Sequence, residues 1–172
     1  MLRALKKENK TVCVRVHPED DNLFGRKARA YLFSKGKSAH FASALFYMID
    51  VVRSILLYSW RRVDFVIFVR YLMGTAYLPS PFHLVGYNFF SLVVPKSEDM
   101  FFLDVSPAVA AARIVKNRRE IEMFESLEAL KKVRARALGL TRFDRWIIID
   151  SNKSAIDVAF AINKNLYCKQ SP

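Results

Sequence analysis

The sequence predicts an α/β fold, a three-layer arrangement with a parallel sheet and helices on both faces, in a single domain over residues 1–172. Three observations predict it. Phe65 to Val69 (FVIFV) is an unbroken apolar run of β-branched and aromatic residues, which is how a strand buried on both faces reads. Strand-like runs alternate with helical patterns along the chain, as βαβ units require. A chain of 172 residues, 52% hydrophobic, with five glycines and six prolines, suits one globular core rather than a disordered or fibrous protein.

Taken in order, Met1 to Asn9 reads as the tail of a helix anchored by Leu2 and Leu5. Thr11 to Val16 alternates as TVCVRV, a strand that ends at His17-Pro18, and Glu19 to Asn22 forms an acidic loop. Gly25 to Phe33 is a short basic helix, broken by the polar SKGKS. In the strongest helix Phe41, Ala44, Leu45, Met48, Val52, Ile55, Leu56 and Ser59 recur at three and four residues. That face is expected in the core, with Asp50, Arg53 and Ser54 on the opposite side. Phe41 to Tyr58 has the length of a membrane span, but Asp50 and Arg53 near its middle favour a core helix.

After the 65–69 strand, Ser80 and Pro81 are expected as N-cap and first residue of a helix to about Val93, stopped by Pro95. Met100 to Val105 is a third strand, and Ser106-Pro107 starts the next helix in the same way. A further helix is expected from about Glu122 to Leu138, with Gly139 as its C′ residue. Trp146 to Asp150 (WIIID) is the fourth strand, and Ser154 with Asp157 opens the last helix like a capping box.

Charge narrows the partners. Twenty-eight Lys and Arg against 16 Asp and Glu leave +12, a field that attracts nucleotides, nucleic acid or an acidic membrane surface without choosing among them. Cys13 and Cys168 make neither a disulfide framework nor a zinc pattern, which suits a reducing cytoplasm. Residues 1–10 are charged, unlike a secretory signal. His17, His40 and His83 show no metal or nucleophile pattern and read as structural.

The most informative chemistry follows the 65–69 strand. Arg70-Tyr71, Gly74 and Ala76-Tyr77 stand at its carboxyl end, where open α/β sheets form their ligand crevice. A guanidinium there can fork onto a phosphate, and tyrosines can lie against a base or sugar. Arg70 equally reads as a loop cap, and Tyr71 and Tyr77 as side chains closing the sheet end. Gly36-Lys37-Ser38 does not complete a phosphate-binding loop of the GxxxxGK[ST] kind. Tyr31 stands where its first glycine belongs, and a basic helix precedes it instead of a buried strand.

Together these segments resemble the thymidylate kinases, nucleoside monophosphate kinases of the P-loop class. Arg15 to Pro18 resembles the family's Arg-Glu-Pro loop, and Ala44-Leu45-Phe46 with Asp50 and Arg53 its Leu-Phe…Asp-Arg helix. Arg70-Tyr71 with Ala76-Tyr77 resembles the Asp-Arg-Tyr…Ala-Tyr-Gln segment. Leu103 to Pro107, followed by Arg113, Arg118-Arg119, Glu122 and Phe124-Glu125, resembles the run that contains the lid. The likeness covers essentially the whole chain and lacks the family's first strand, its P-loop and most of its first helix.

The resemblance implies phosphoryl transfer from ATP, with Mg²⁺, to dTMP or a related nucleoside monophosphate, through positioning and charge neutralisation. It implies that Phe46 stacks on the base, Arg70 holds the acceptor phosphate, and Tyr77 sits beneath the deoxyribose. Arg15, Arg53 and Tyr71 would complete the substrate site. Arg70, Arg113, Arg118 and Arg119 would be catalytic, with Arg113, Lys116, Arg118 and Arg119 in a mobile lid over residues 112–124. It also implies a possible homodimer through the helices beside the sheet.

Some residues depart from the pattern. Val69 replaces an acidic residue before Arg70, Leu78 stands for the usual glutamine, and Asp50 falls where an arginine would bond the base carbonyl, with Arg53 one turn on. Each residue also has a plainer reading. Phe46 fits a core position, the basic run 113–119 a solvated face, and Asp104 a loop hydrogen bond.

Three expectations remain open. Either the sequence begins at an internal methionine, with about 20 to 25 residues of strand, loop and helix before it, or it is a non-catalytic relative that binds nucleotides or a partner. The first is favoured, because removing a central strand leaves its neighbours with unpaired ladder groups. The third expectation, a basic nucleic-acid-binding module, is disfavoured because the arginines are scattered and no reader motif appears.

Overall fold

In the computed structural model, described over residues 5, 8–34, 37–117 and 126–168, four strands and six helices alternate as the sequence predicts. The strands are β1 (Val12–Val16), β2 (Phe65–Val69), β3 (Met100–Asp104) and β4 (Trp146–Asp150). The helices are α1 (Leu23–Leu32), α2 (Lys37–Tyr58), α3 (Phe82–Val93), α4 (Pro107–Asn117), α5 (Leu127–Leu140) and α6 (Ala155–Cys168). A 3-10 segment, Leu72–Tyr77, stands where the sequence reads as loop.

The strands form two parallel pairs. Val12 to Val16 lie in register with Phe65 to Val69, and Met100 to Asp104 with Trp146 to Asp150. Among the described residues β2 bonds only to β1 and β3 only to β4. One core nevertheless serves both pairs. Val51 and Ile55 of α2, Leu72, Tyr87 and Phe90 of α3, and Leu140 of α5 form its centre, with Phe68 of β2 and Phe102 of β3 packed against it. The Tyr71 hydroxyl, just past β2, donates to the Pro95 carbonyl ahead of β3 at 2.7 Å, a second tie between the pairs. At the start of β1 and β2, one Asp64 carboxylate oxygen accepts from the Thr11 amide at 2.7 Å and the Thr11 hydroxyl at 2.6 Å.

Local chemistry sets the helix ends. Asn22 caps α1, its Oδ1 accepting from the Phe24 and Gly25 amides at 2.9 and 3.0 Å. Gly25 lets α1 press on the preceding loop, since a Cβ there would run into the Glu19 backbone. Ser154 accepts from the Asp157 amide and donates to its carboxylate, the expected start of α6.

Several sequence expectations are corrected. Ser80 does not cap α3: Pro81 holds the N-cap position, with no side-chain hydrogen bond. Gly139 lies inside α5, which runs on to Leu140 and ends at Thr141, because the Thr141 amide still reaches the Ala137 carbonyl. That helix starts at Leu127, capped by Ser126; the expected first turns from Glu122 lie outside the described residues. Residues 112–117 of the expected lid are the last turns of α4, and the rest, with Arg118 and Arg119, also lies outside them.

The largest correction concerns α2. Phe41, Leu45 and Leu56 of the expected core face are exposed, while Asp50 and Ser54, expected on the polar side, are fully buried. The core stripe is Val51 and Ile55, flanked by a polar seam facing β1 and its loop. Phe41–Tyr58 is long and apolar enough to cross a membrane by length and composition. Here Asp50 and Ser54 within it are bonded to the β1 side of the fold.

Candidate functional site

The strongest polar arrangement lies at the carboxyl end of β1. Asp50, from α2, accepts from His17 Nδ1 at 2.9 Å, the Glu19 amide at 2.9 Å and Asn22 Nδ2 at 2.6 Å. Burial alone would push its carboxyl up, but these bonds outweigh it and hold the group below the usual carboxylate range. Beside it, Arg15 bonds Asp21 at 2.8 Å and the Ser54 hydroxyl at 3.4 Å and lies over the Tyr58 ring. Arg53 approaches the other Asp21 oxygen at 3.7 Å. Asn22 and Arg15 keep the Asp21 carboxyl low against its partial burial. This network holds the 17–22 loop in one shape, with His17 in the structural role read from the sequence.

Next to that loop a cleft of about 590 Å³, counted with the open space at its mouth, lies between α1, α2 and the segment after β2. Its wall is mostly apolar, with Ala28, Leu32, Ala44 and Met48, and its polar end holds Arg70, Tyr77 and Tyr47. Arg70 has φ 59°, the left-handed region, which costs a non-glycine residue of order 1 kcal/mol. It stands at the carboxyl end of a parallel strand, where such sheets take ligands. One positive fork beside two phenols above an apolar wall suits a flat molecule with an anionic end.

The structure therefore brings together two of the residues predicted for the site, Arg70 and Tyr77, and places Arg15, Phe46, Arg53, Tyr71 and Arg113 elsewhere, while Arg118 and Arg119 lie outside the described residues. Phe46 stacks on Tyr31 of α1, ring centroids 5.8 Å apart, under the Lys27 ammonium, so its ring is engaged away from the cleft. Tyr71 stacks on Phe68 and is bonded to Pro95, facing the core. Arg15 and Arg53 are spent on Asp21. Arg113 donates to the backbone carbonyls of Ser151, Asn152 and Lys153 at 2.8, 3.2 and 3.0 Å, which fastens the β4–α6 loop to α4. Asp104 forms a two-pronged pair with Arg134 at 2.7 and 2.8 Å rather than a loop bond alone.

Tyr47 was missed by the sequence reading. It lies one residue past Phe46, and its place in the cleft depends on Gly74, twenty-seven residues on, so no local signal announces it.

The same residues can be tested against a triphosphate and its metal. Among the described residues no three His, Cys, Asp or Glu side chains gather as metal ligands. The turns after the four strands carry no glycine-rich cradle before their helices, and Gly36 lies outside the described residues. Among the described residues, then, there is neither a glycine-rich cradle for a triphosphate nor a cluster of three metal-ligating side chains.

Fold and cleft define a parallel α/β protein with a cleft at the carboxyl end of β2 lined by Arg70, Tyr47 and Tyr77. A sequence model described as thymidylate kinase matches residues 1–162. The chain belongs to the thymidylate kinase family. It is 36% identical over 86 residues to a protein of Pyrobaculum calidifontis called probable thymidylate kinase. That match covers 50% of this chain and spans 42% of the relative's length.

Proposed function

We propose that the protein is a nucleoside monophosphate kinase, taking dTMP or a closely related monophosphate as acceptor and ATP with Mg²⁺ as donor. The observation that carries the reading is Arg70, held in left-handed backbone at the end of β2 and lining the cleft together with Tyr77. Its guanidinium would grip the acceptor phosphate by two parallel hydrogen bonds, and Tyr77 would lie against the sugar. Ala28, Leu32, Ala44 and Met48 would receive the apolar surface of the base. Bound Mg–ATP would supply the phosphoryl group.

The reading includes two further parts. The protein would act in the reducing cytoplasm, in keeping with the free thiol of Cys13. It would also pair with a second copy through α2 and α3, whose Phe41, Leu45, Val85, Phe89 and Leu92 lie exposed. Equilibrium sedimentation tests that pairing, and a monomer at micromolar concentration argues against it.

Calorimetric titration of the full chain with dTMP and dUMP tests the acceptor site. Binding that weakens tenfold or more in Arg70→Ala supports the reading. Absence of binding to either monophosphate by a cooperatively folded protein refutes it. A second reading is a relative that binds monophosphate without transferring phosphate. Turnover of ATP with dTMP separates the two.

A further inference from the structure

Beside the cleft lies a second, apolar pocket, about 240 Å³ when the open space at its mouth is counted, lined by Val51, Leu72, Phe90 and Val94 among others. Tyr47 and Met48 border both spaces. The Tyr47 phenol lies on the bare Cα of Gly74: a Cβ there would collide with the ring carbons and the hydroxyl oxygen. The Tyr47 hydroxyl donates to the Tyr71 carbonyl at 3.5 Å, and the His17 ring meets the phenol edge-on at 6.3 Å. Burial drives the phenol's pKa up, so it remains a neutral donor. The ring is therefore pinned on three sides, by Gly74 beneath, Tyr71 at its tip and His17 at its edge.

We propose that Tyr47 is a specificity-determining residue that sets the depth of the acceptor cleft. Its ring is the partition between the cleft and the inner apolar pocket, so the cleft takes a one-ring base and turns away a two-ring base. Gly74 is the positioning residue that makes room for the ring. The proposal rests on the reading of the cleft as a monophosphate site, but the partition itself does not.

Two independent measurements test it. In the first, the full chain and its Tyr47→Ala, Tyr47→Leu and Tyr47→Phe variants are titrated with dTMP and dGMP by calorimetry. The unsubstituted protein is expected to prefer dTMP at least tenfold. Tyr47→Ala should reduce that preference tenfold or more, Tyr47→Leu should fall between, and Tyr47→Phe should keep it because the ring remains. An unchanged preference in folded Tyr47→Ala or Tyr47→Leu overturns the proposal.

In the second, indole is the probe and no phosphate site is needed, since an emptied apolar cavity takes up small aromatic molecules. Indole should bind Tyr47→Ala at least tenfold more tightly than the unsubstituted protein or Tyr47→Phe. Equal indole affinities overturn the partition. If indole behaves as expected while no monophosphate binds the unsubstituted protein, the partition stands, and both the acceptor reading and its base selectivity fall.

Discussion

Replacing Asp50 with alanine tests the polar seam most directly. The carboxylate is 0% exposed and accepts three hydrogen bonds, from His17, the Glu19 amide and Asn22. Removing it strands three buried or half-buried donors, each costing about 1–3 kcal/mol if nothing replaces the bond. Relaxation and entering water would recover part of that sum. A net loss of about 3–5 kcal/mol is expected for removing this buried, hydrogen-bonded carboxylate. Against a total stability of about 5–15 kcal/mol that is a large share. It corresponds to a fall in Tm of about 6–20 °C for a chain of this size. Urea unfolding followed by tryptophan fluorescence would measure it, with Asp50→Asn expected to lose less because one acceptor oxygen remains. A loss below about 1 kcal/mol at unchanged m would refute the claim that this carboxylate holds the 17–22 loop.

Four further outcomes follow from the same physics. The folded-state pKa of Asp50 and of Asp21 is depressed, so the stability they contribute is present above the ordinary aspartate value. Unfolding free energy should therefore drop as pH falls below about 4, and Asp50→Asn should flatten that limb in a pH series of urea melts. His83, buried at the start of α3, has its pKa lowered by burial and then by Arg136. It should add a shallower loss of stability as pH falls below about 6.5, which His83→Gln should remove. The Tyr87 hydroxyl accepts from Trp146 Nε1 at 2.7 Å and donates to Asp144 at 2.8 Å. Tyr87→Phe should cost about 1–3 kcal/mol and shift the tryptophan emission; an unaltered spectrum would count against the bond. Arg113→Ala should speed amide exchange at 151–154 and cost about 1 kcal/mol, since the site is exposed. If dTMP affinity falls while exchange there is unchanged, Arg113 acts on ligand rather than on its own loop.

Elements governed by nearby sequence were the legible ones. Phe65 to Val69 announced β2 through composition alone, WIIID announced β4, and Ser154 with Asp157 announced the start of α6. Asp50 and Ser54 were assigned to the wrong face of α2 because periodicity counts apolar side chains, whereas their burial is decided by Arg15, His17 and Asn22. Arg70 and Tyr77 could be singled out because they follow the end of a parallel strand, where ligand chemistry gathers; the strand itself is only partly buried, with Val69 exposed. Phe46 and Arg53 went elsewhere because each met a closer partner, Tyr31 for one and Asp21 for the other. The family's pattern was legible in the order of its segments. Tyr47 was not, since a notch opposite Gly74 is a fact of three dimensions.

The two strand pairs have a consequence for how the chain comes together. One ladder closes around α1 and α2, the other around α4 and α5, and the two stretches do not overlap in sequence. Each can therefore nucleate while the other is still open, with the Leu72–Val93 region docking the halves afterwards. Native-state amide exchange should then resolve two cooperative opening units, β1–β2 and β3–β4, rather than one. Damage to the Asp50 seam should loosen the first and leave the amides of the second nearly as slow as before.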